Sequence, residues 1–112
     1  MAGKDMGKTS MGMNANIAAV LSYLLGFITG IIFYILEKKN KFVRFHAMQS
    51  MVVFGFLWVL SFAVWLVPFL GWIIARFIYI LEVILWVILM VKAYQGEYFK
   101  LPVAGDIAEK NS

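Results

Sequence analysis

Ile17–Leu36 reads IAAVLSYLLGFITGIIFYIL, an uncharged run of 20 residues. At about 1.5 Å per residue it matches a hydrocarbon core of about 30 Å, so its length predicts one membrane-crossing helix. A secretory leader is the competing reading. The run is too long for a leader's apolar segment, and it has no small-residue cleavage pattern behind it. Directly after the run stands Glu37-Lys38-Lys39-Asn40-Lys41, the form of a stop-transfer signal.

Two further apolar runs lie downstream, Ala47–Val67 and Trp72–Val91. Between them, Leu66-Val67-Pro68-Phe69-Leu70-Gly71 reads as a turn, because proline disfavours helix at the residue before it and glycine tolerates a tight bend. Asn40 suits the N-cap of the second helix. The first turns of that helix, with Phe42, Val43 and Phe45 interleaved with Lys41, Arg44 and His46, are expected to form an interfacial amphipathic segment. The expected fold is therefore all-α, an integral membrane three-helix bundle with helices over 17–36, 41–67 and 72–95. These make one transmembrane domain, 17–105, between a disordered polar tail, 1–16, and a loose C-terminal tail, 106–112.

Composition agrees. Of the 112 residues, 63% are hydrophobic and 14% charged, against roughly half and a quarter in an average soluble domain. A soluble core this small could not hide so much apolar surface. The net charge of +4 gathers in short segments flanking the apolar runs, as topology requires, so it does not point to nucleic acid. With no cysteine, disulfides and thiolate metal sites are excluded, and one histidine excludes a His-based metal site within the chain. No cofactor is expected.

Three crossings would put the 37–46 connector and the C-terminal tail on one side, with Lys38, Lys39, Lys41, Arg44, Lys92, Lys100 and Lys110. Lys4, Lys8 and Arg76 would lie on the other. The positive-inside rule then places the C-terminus in the cytoplasm and the N-terminus outside a prokaryotic cell membrane.

Three sets of residues are candidates for function. Ala18, Ser22, Gly26 and Gly30 recur every four residues, a small-residue stripe at which two helices can approach closely. It serves either internal packing or self-association. Glu82 sits in the middle of the third apolar run, where an ionised carboxylate is costly; it must find a partner, a wet cavity or a proton. Ser22, Tyr23, Thr29 and Ser61 stand at similar expected depth. Arg76 is six residues away, off the helical face of Glu82. Arg44, His46 and Gln49 form a polar motif at the start of the second helix, suited to anchoring the connector to the bundle or to headgroups. No nucleophile, base and orienter combine into a catalytic set, so an enzyme is not expected.

Asn16-Ile17-Ala18-Ala19-Val20-Leu21-Ser22-Tyr23, Asn40-Lys41-Phe42-Val43-Arg44-Phe45-His46-Ala47-Met48-Gln49-Ser50 and Lys92-Ala93-Tyr94-Gln95-Gly96-Glu97-Tyr98-Phe99-Lys100-Leu101-Pro102 together carry a resemblance. Over residues 14–108 the chain resembles small prokaryotic membrane proteins of unknown function related to the twenty-kilodalton component of the chloroplast inner-envelope import translocon, a Tic-like family. The resemblance implies a helical membrane protein and a role near protein or solute translocation. The residues alone suggest a scaffold or accessory subunit of a membrane complex, in contact with the lipid bilayer and with itself or other membrane proteins. The rival is an oligomeric transport or protein-translocation component using Glu82.

Overall fold

The computed structural model describes residues 6–10 and 12–112. They are all-helical apart from turns and one isolated bridge between Lys8 and Asn14. The helices are α1 (Ala15–Leu24), α2 (Phe27–Leu36), α3 (Lys41–Val64), α4 (Leu70–Tyr94) and α5 (Ala104–Lys110). Residues 1–5 and 11 of the expected disordered tail lie outside the described residues.

The three-helix bundle is not confirmed, and the first apolar run is the reason. It does not make one helix of 20 residues. It breaks at Leu25 and Gly26 into α1 and α2, 10 residues each and about 15 Å long. Neither reaches across a hydrocarbon core of about 30 Å. Gly26 has φ 65° and ψ −134°, a backbone conformation open to glycine and unfavourable for other residues. The chain then turns back on itself. Ser10, before α1, hydrogen-bonds through its amide and its hydroxyl to Glu37, just after α2, each at 2.8 Å. The Asn40 side-chain amide donates to the carbonyls of Met6 and Lys8. The two ends of the apolar run therefore lie together, and α1 and α2 form a helical hairpin.

A helix break inside lipid leaves polar backbone that only protein can satisfy. Here carbonyls freed by the turn have side-chain donors. The Thr29 hydroxyl donates to Ser22 O at 3.1 Å, Trp86 Nε1 donates to Tyr23 O at 2.7 Å, and the Ser50 hydroxyl donates to Gly26 O at 2.8 Å. Two of these three donors come from α3 and α4.

Those two helices are long enough to cross, about 36 Å for the 24 residues of α3 and about 38 Å for the 25 of α4. Asn40 caps α3, its side-chain oxygen accepting from Val43 N at 3.1 Å. The turn after α3 is tight: a Cβ on Gly71 would collide with the Val64 carbonyl oxygen. The start of α3 is no surface-lying segment. Phe42, Val43, Phe45 and His46 are buried within the protein, under Tyr98 and the hairpin. Residues 104–110 form α5, which packs on α3.

With the hairpin returning to its start, the described residues before α1, the 37–40 connector and the C-terminal segment gather at one end of the molecule. Asn16 Nδ2 donates to Tyr94 O at 2.8 Å across that end. The expectation that the N-terminus and C-terminus lie on opposite sides rested on a single crossing by 17–36, which α1 and α2 do not make as one continuous helix.

Candidate functional site

Tyr23, on α1, and His46 and Gln49, one turn apart on α3, meet in a fully buried polar cluster. The proton positions follow from the partners. His46 Nε2 lies 2.8 Å from the Glu97 carbonyl, which can only accept, so Nε2 carries the proton. Nδ1 is then an acceptor, and the Tyr23 hydroxyl donates to it at 2.6 Å. The Tyr23 oxygen in turn accepts from Gln49 Nε2 at 3.1 Å. Gln49 Nε2 also donates to Phe99 O at 2.8 Å, and Gln49 Oε1 accepts from Leu101 N at 3.0 Å. Phe42 and Phe45 set their rings edge-on to the imidazole, at 4.7 and 5.1 Å between centroids. Every member is satisfied and shut from water. Such a network joins the hairpin, α3 and the 95–101 segment; it leaves no group free to attack or to exchange a proton with a substrate.

Arg44 projects the other way. Its guanidinium donates to Tyr34 O at 3.0 Å, Glu37 O at 2.8 Å and Ser112 O at 3.2 Å, and stands 4.0 Å over the Tyr34 ring. It therefore closes the C-terminal end of α2, whose last carbonyls have no helical partner.

The small-residue stripe is consumed inside the chain. Ala18 and Ser22 are fully buried, and a Cβ on Gly30 would meet Ala47 O at 2.8 Å and the Ser50 Cβ at 3.0 Å. Gly26 supplies the turn.

Glu82 is apart from all of these. It lines an open cavity of about 350 Å³ at the tip of the hairpin, with Leu25, Gly26, Phe27, Phe54 and Trp86. Of its expected partners, Ser22 bonds Ala19 O and Tyr23 bonds His46, while Thr29 serves the turn. Among the described residues Glu82 has no ion pair and no hydrogen-bond partner. It is half-buried at the level where the hairpin ends.

One functional-looking group gave no signal in the sequence. Glu37 stands in a charged run that resembles a solvated stop-transfer signal, yet it is fully buried. Burial pushes its carboxyl up. The backbone of Asn40, the hydroxyl and amide of Ser10 and the backbone of Lys39 more than offset this and hold it below its ordinary value. Tyr23, the hub of the buried cluster, was legible as a polar group at the depth of Glu82 and not as the partner of His46 and Gln49.

The model of the magnetosome magnetite crystal formation protein family matches residues 7–108. A UPF0132 membrane protein of Methanocaldococcus jannaschii is 56% identical over 96% of this chain and 96% of its own. A UPF0132 membrane protein of Archaeoglobus fulgidus is 48% identical over 88% and 95%. A second from Methanocaldococcus jannaschii is 46% identical over 90% of this chain and 72% of its own. No solved structure gives a significant match. These matches overturn the Tic-like resemblance: the motifs around Arg44-Phe45-His46 and Tyr94-Gln95-Gly96 lie inside the matched span of a different family.

Proposed function

The chain belongs to the magnetosome magnetite crystal formation protein family, alongside archaeal UPF0132 membrane proteins, and on that premise we propose that it is a scaffold or accessory subunit of a membrane complex. The position of Glu82 carries this reading. The hairpin covers α3 and α4 only at their polar end. Beyond its tip the two helices expose large apolar side chains, Phe56, Phe62, Phe77 and Tyr79 among them. Glu82 stands at the border of the covered and uncovered parts, without a partner. Lipid chains offer it no hydrogen bond, and a carboxylate at that depth costs several kcal/mol. A donor from another membrane helix, of a second copy or of a different protein, relieves that cost.

Size determination in lipid nanodiscs formed directly from native membranes tests the proposal. The wild type is expected in an assembly, and Glu82→Ala is expected to shift toward the monomer. A wild type that is strictly monomeric and carries no other protein would refute it.

A second reading rests on the same residue. The N-terminus of α2, the positive end of that helix, opens onto the Glu82 cavity with no side-chain cap, which favours a carboxylate able to give up and take back a proton there. A transport subunit using Glu82 would move protons or cations in liposomes, and Glu82→Gln would stop it. The protein-translocation reading falls with the resemblance that suggested it. Crystal formation is the activity in the family's name and is not carried over to this chain.

For orientation, Lys8, Lys38, Lys39, Lys41, Arg44, Lys92, Lys100 and Lys110 all belong to the end where the termini gather, and Arg76 lies toward the other. The positive-inside rule then favours both termini in the cytoplasm.

A further inference from the structure

Lys38 and Arg44 border a pocket of about 500 Å³ at the polar end of α2, completed by Tyr34, Ile35 and Ser112. Lys92 is paired with Glu97, and Lys100 with Asp106 and Glu109, but among the described residues neither Lys38 nor Arg44 has a carboxylate side-chain partner. The acidic side chains of α5, the nearest acidic helix, are turned onto Lys100. Arg44 is held in place by the backbone oxygens of Tyr34, Glu37 and Ser112 and by the Tyr34 ring, which fix its position. The Tyr34 hydroxyl donates to Asn111 O at 2.7 Å, so this wall is fixed too.

Below the pocket, α2 presents Ile28, Ile31, Ile32 and Ile35, all exposed, between 40% and 60%. Their spacing of three and four residues makes one helical stripe, running from the pocket toward the membrane interior. A fixed guanidinium and an exposed ammonium above a continuous isoleucine track match an anionic headgroup above an acyl chain. Free phosphate would use the cations and leave the track bare.

We propose that this pocket and stripe bind one anionic phospholipid, its phosphate between Lys38 and Arg44 and an acyl chain along the exposed isoleucines of α2. Basic pockets at the cytoplasmic ends of membrane helices recognise lipid headgroups by this chemistry.

The test reconstitutes the full chain in phosphatidylcholine bilayers and compares the motionally restricted fractions of spin-labelled phosphatidylglycerol and spin-labelled phosphatidylcholine. Phosphatidylglycerol is expected to associate about tenfold more strongly. Lys38→Gln removes an exposed charge from the pocket and is expected to abolish most of that preference. Lys41→Gln removes an exposed charge outside the pocket and is expected to preserve it. Equal association of the two lipids in the wild type would overturn the proposal. So would equal loss in the two variants, which would mean diffuse attraction to a basic surface. Full displacement of phosphatidylglycerol by millimolar inorganic phosphate would overturn the lipid assignment.

Discussion

The Tyr23 hydroxyl stands 2.6 Å from His46 Nδ1, and through this bond the helical hairpin is joined to the first long helix. The same oxygen accepts from Gln49, and His46 and Gln49 reach on to the carbonyls of Glu97 and Phe99. Three segments far apart in the chain meet at one phenol. The Arg44-His46-Gln49 motif thus divides its work: Arg44 closes α2, while the other two assemble the interior.

Tyr23→Phe keeps the ring and removes the joint. His46 Nδ1 loses its donor and Gln49 Nε2 one of its acceptors. Leaving buried polar atoms unpaired costs about 1–3 kcal/mol. The melting temperature in detergent is expected to fall, with helix content at low temperature unchanged. Equal melting temperatures would refute the joint.

Gly26 and Gly55 make a contrasting pair. Gly26→Ala places a side chain at φ 65°, ψ −134°, and is expected to destabilise by about 1–3 kcal/mol. Gly55 is helical, and a Cβ there meets only the Phe27 Cβ, at 3.9 Å, an ordinary contact. Gly55→Ala is expected to be neutral or stabilising by up to about 1 kcal/mol. Thermal unfolding of both variants checks the order, and equal effects would argue against the hairpin turn.

Glu37 sets an acid limit on stability. Its folded pKa lies below the ordinary value of 4.5, so on acidification the unfolded chain takes up the proton first. The contribution is complete above about pH 4.5 and is lost as pH falls through the folded pKa. Glu37→Gln is expected to melt lower at neutral pH and to show a shallower loss in acid. Parallel melting-temperature curves for variant and wild type would contradict this.

Sidedness separates the hairpin from a single crossing. The native chain has no cysteine, so single cysteines at Lys8, Lys39, Lys110 and Phe69 can be labelled with an impermeant maleimide. The first three are expected to react from one face of the membrane and Phe69 from the other. Lys8 and Lys39 reacting from opposite faces would restore a single crossing by 17–36.

Much of this fold was legible from local chemistry. Asn40 caps α3 as its side chain suggests, and Pro68 with Gly71 marks the turn between the long helices. Small residues at four-residue spacing leave internal packing and self-association both open; the burial of Ala18 and Ser22 and the contact of Gly30 with α3 are features of the tertiary structure. The isolation of Glu82 could not be read from the sequence, because Ser22, Tyr23 and Thr29 look equally available until their other partners are known. The burial of Glu37 was hidden for a similar reason: its donors include Ser10, 27 residues earlier.

By itself the sequence determined that the chain is helical and that it belongs in a membrane, because these depend on composition and on spacing along the chain. Whether Ile17–Leu36 crosses or returns was decided only in three dimensions. Its length satisfies a crossing, and Gly26 merely permits a reversal. The reversal becomes stable when Ser50 and Trp86, from two other helices, donate to the carbonyls it exposes, and no local pattern records that meeting.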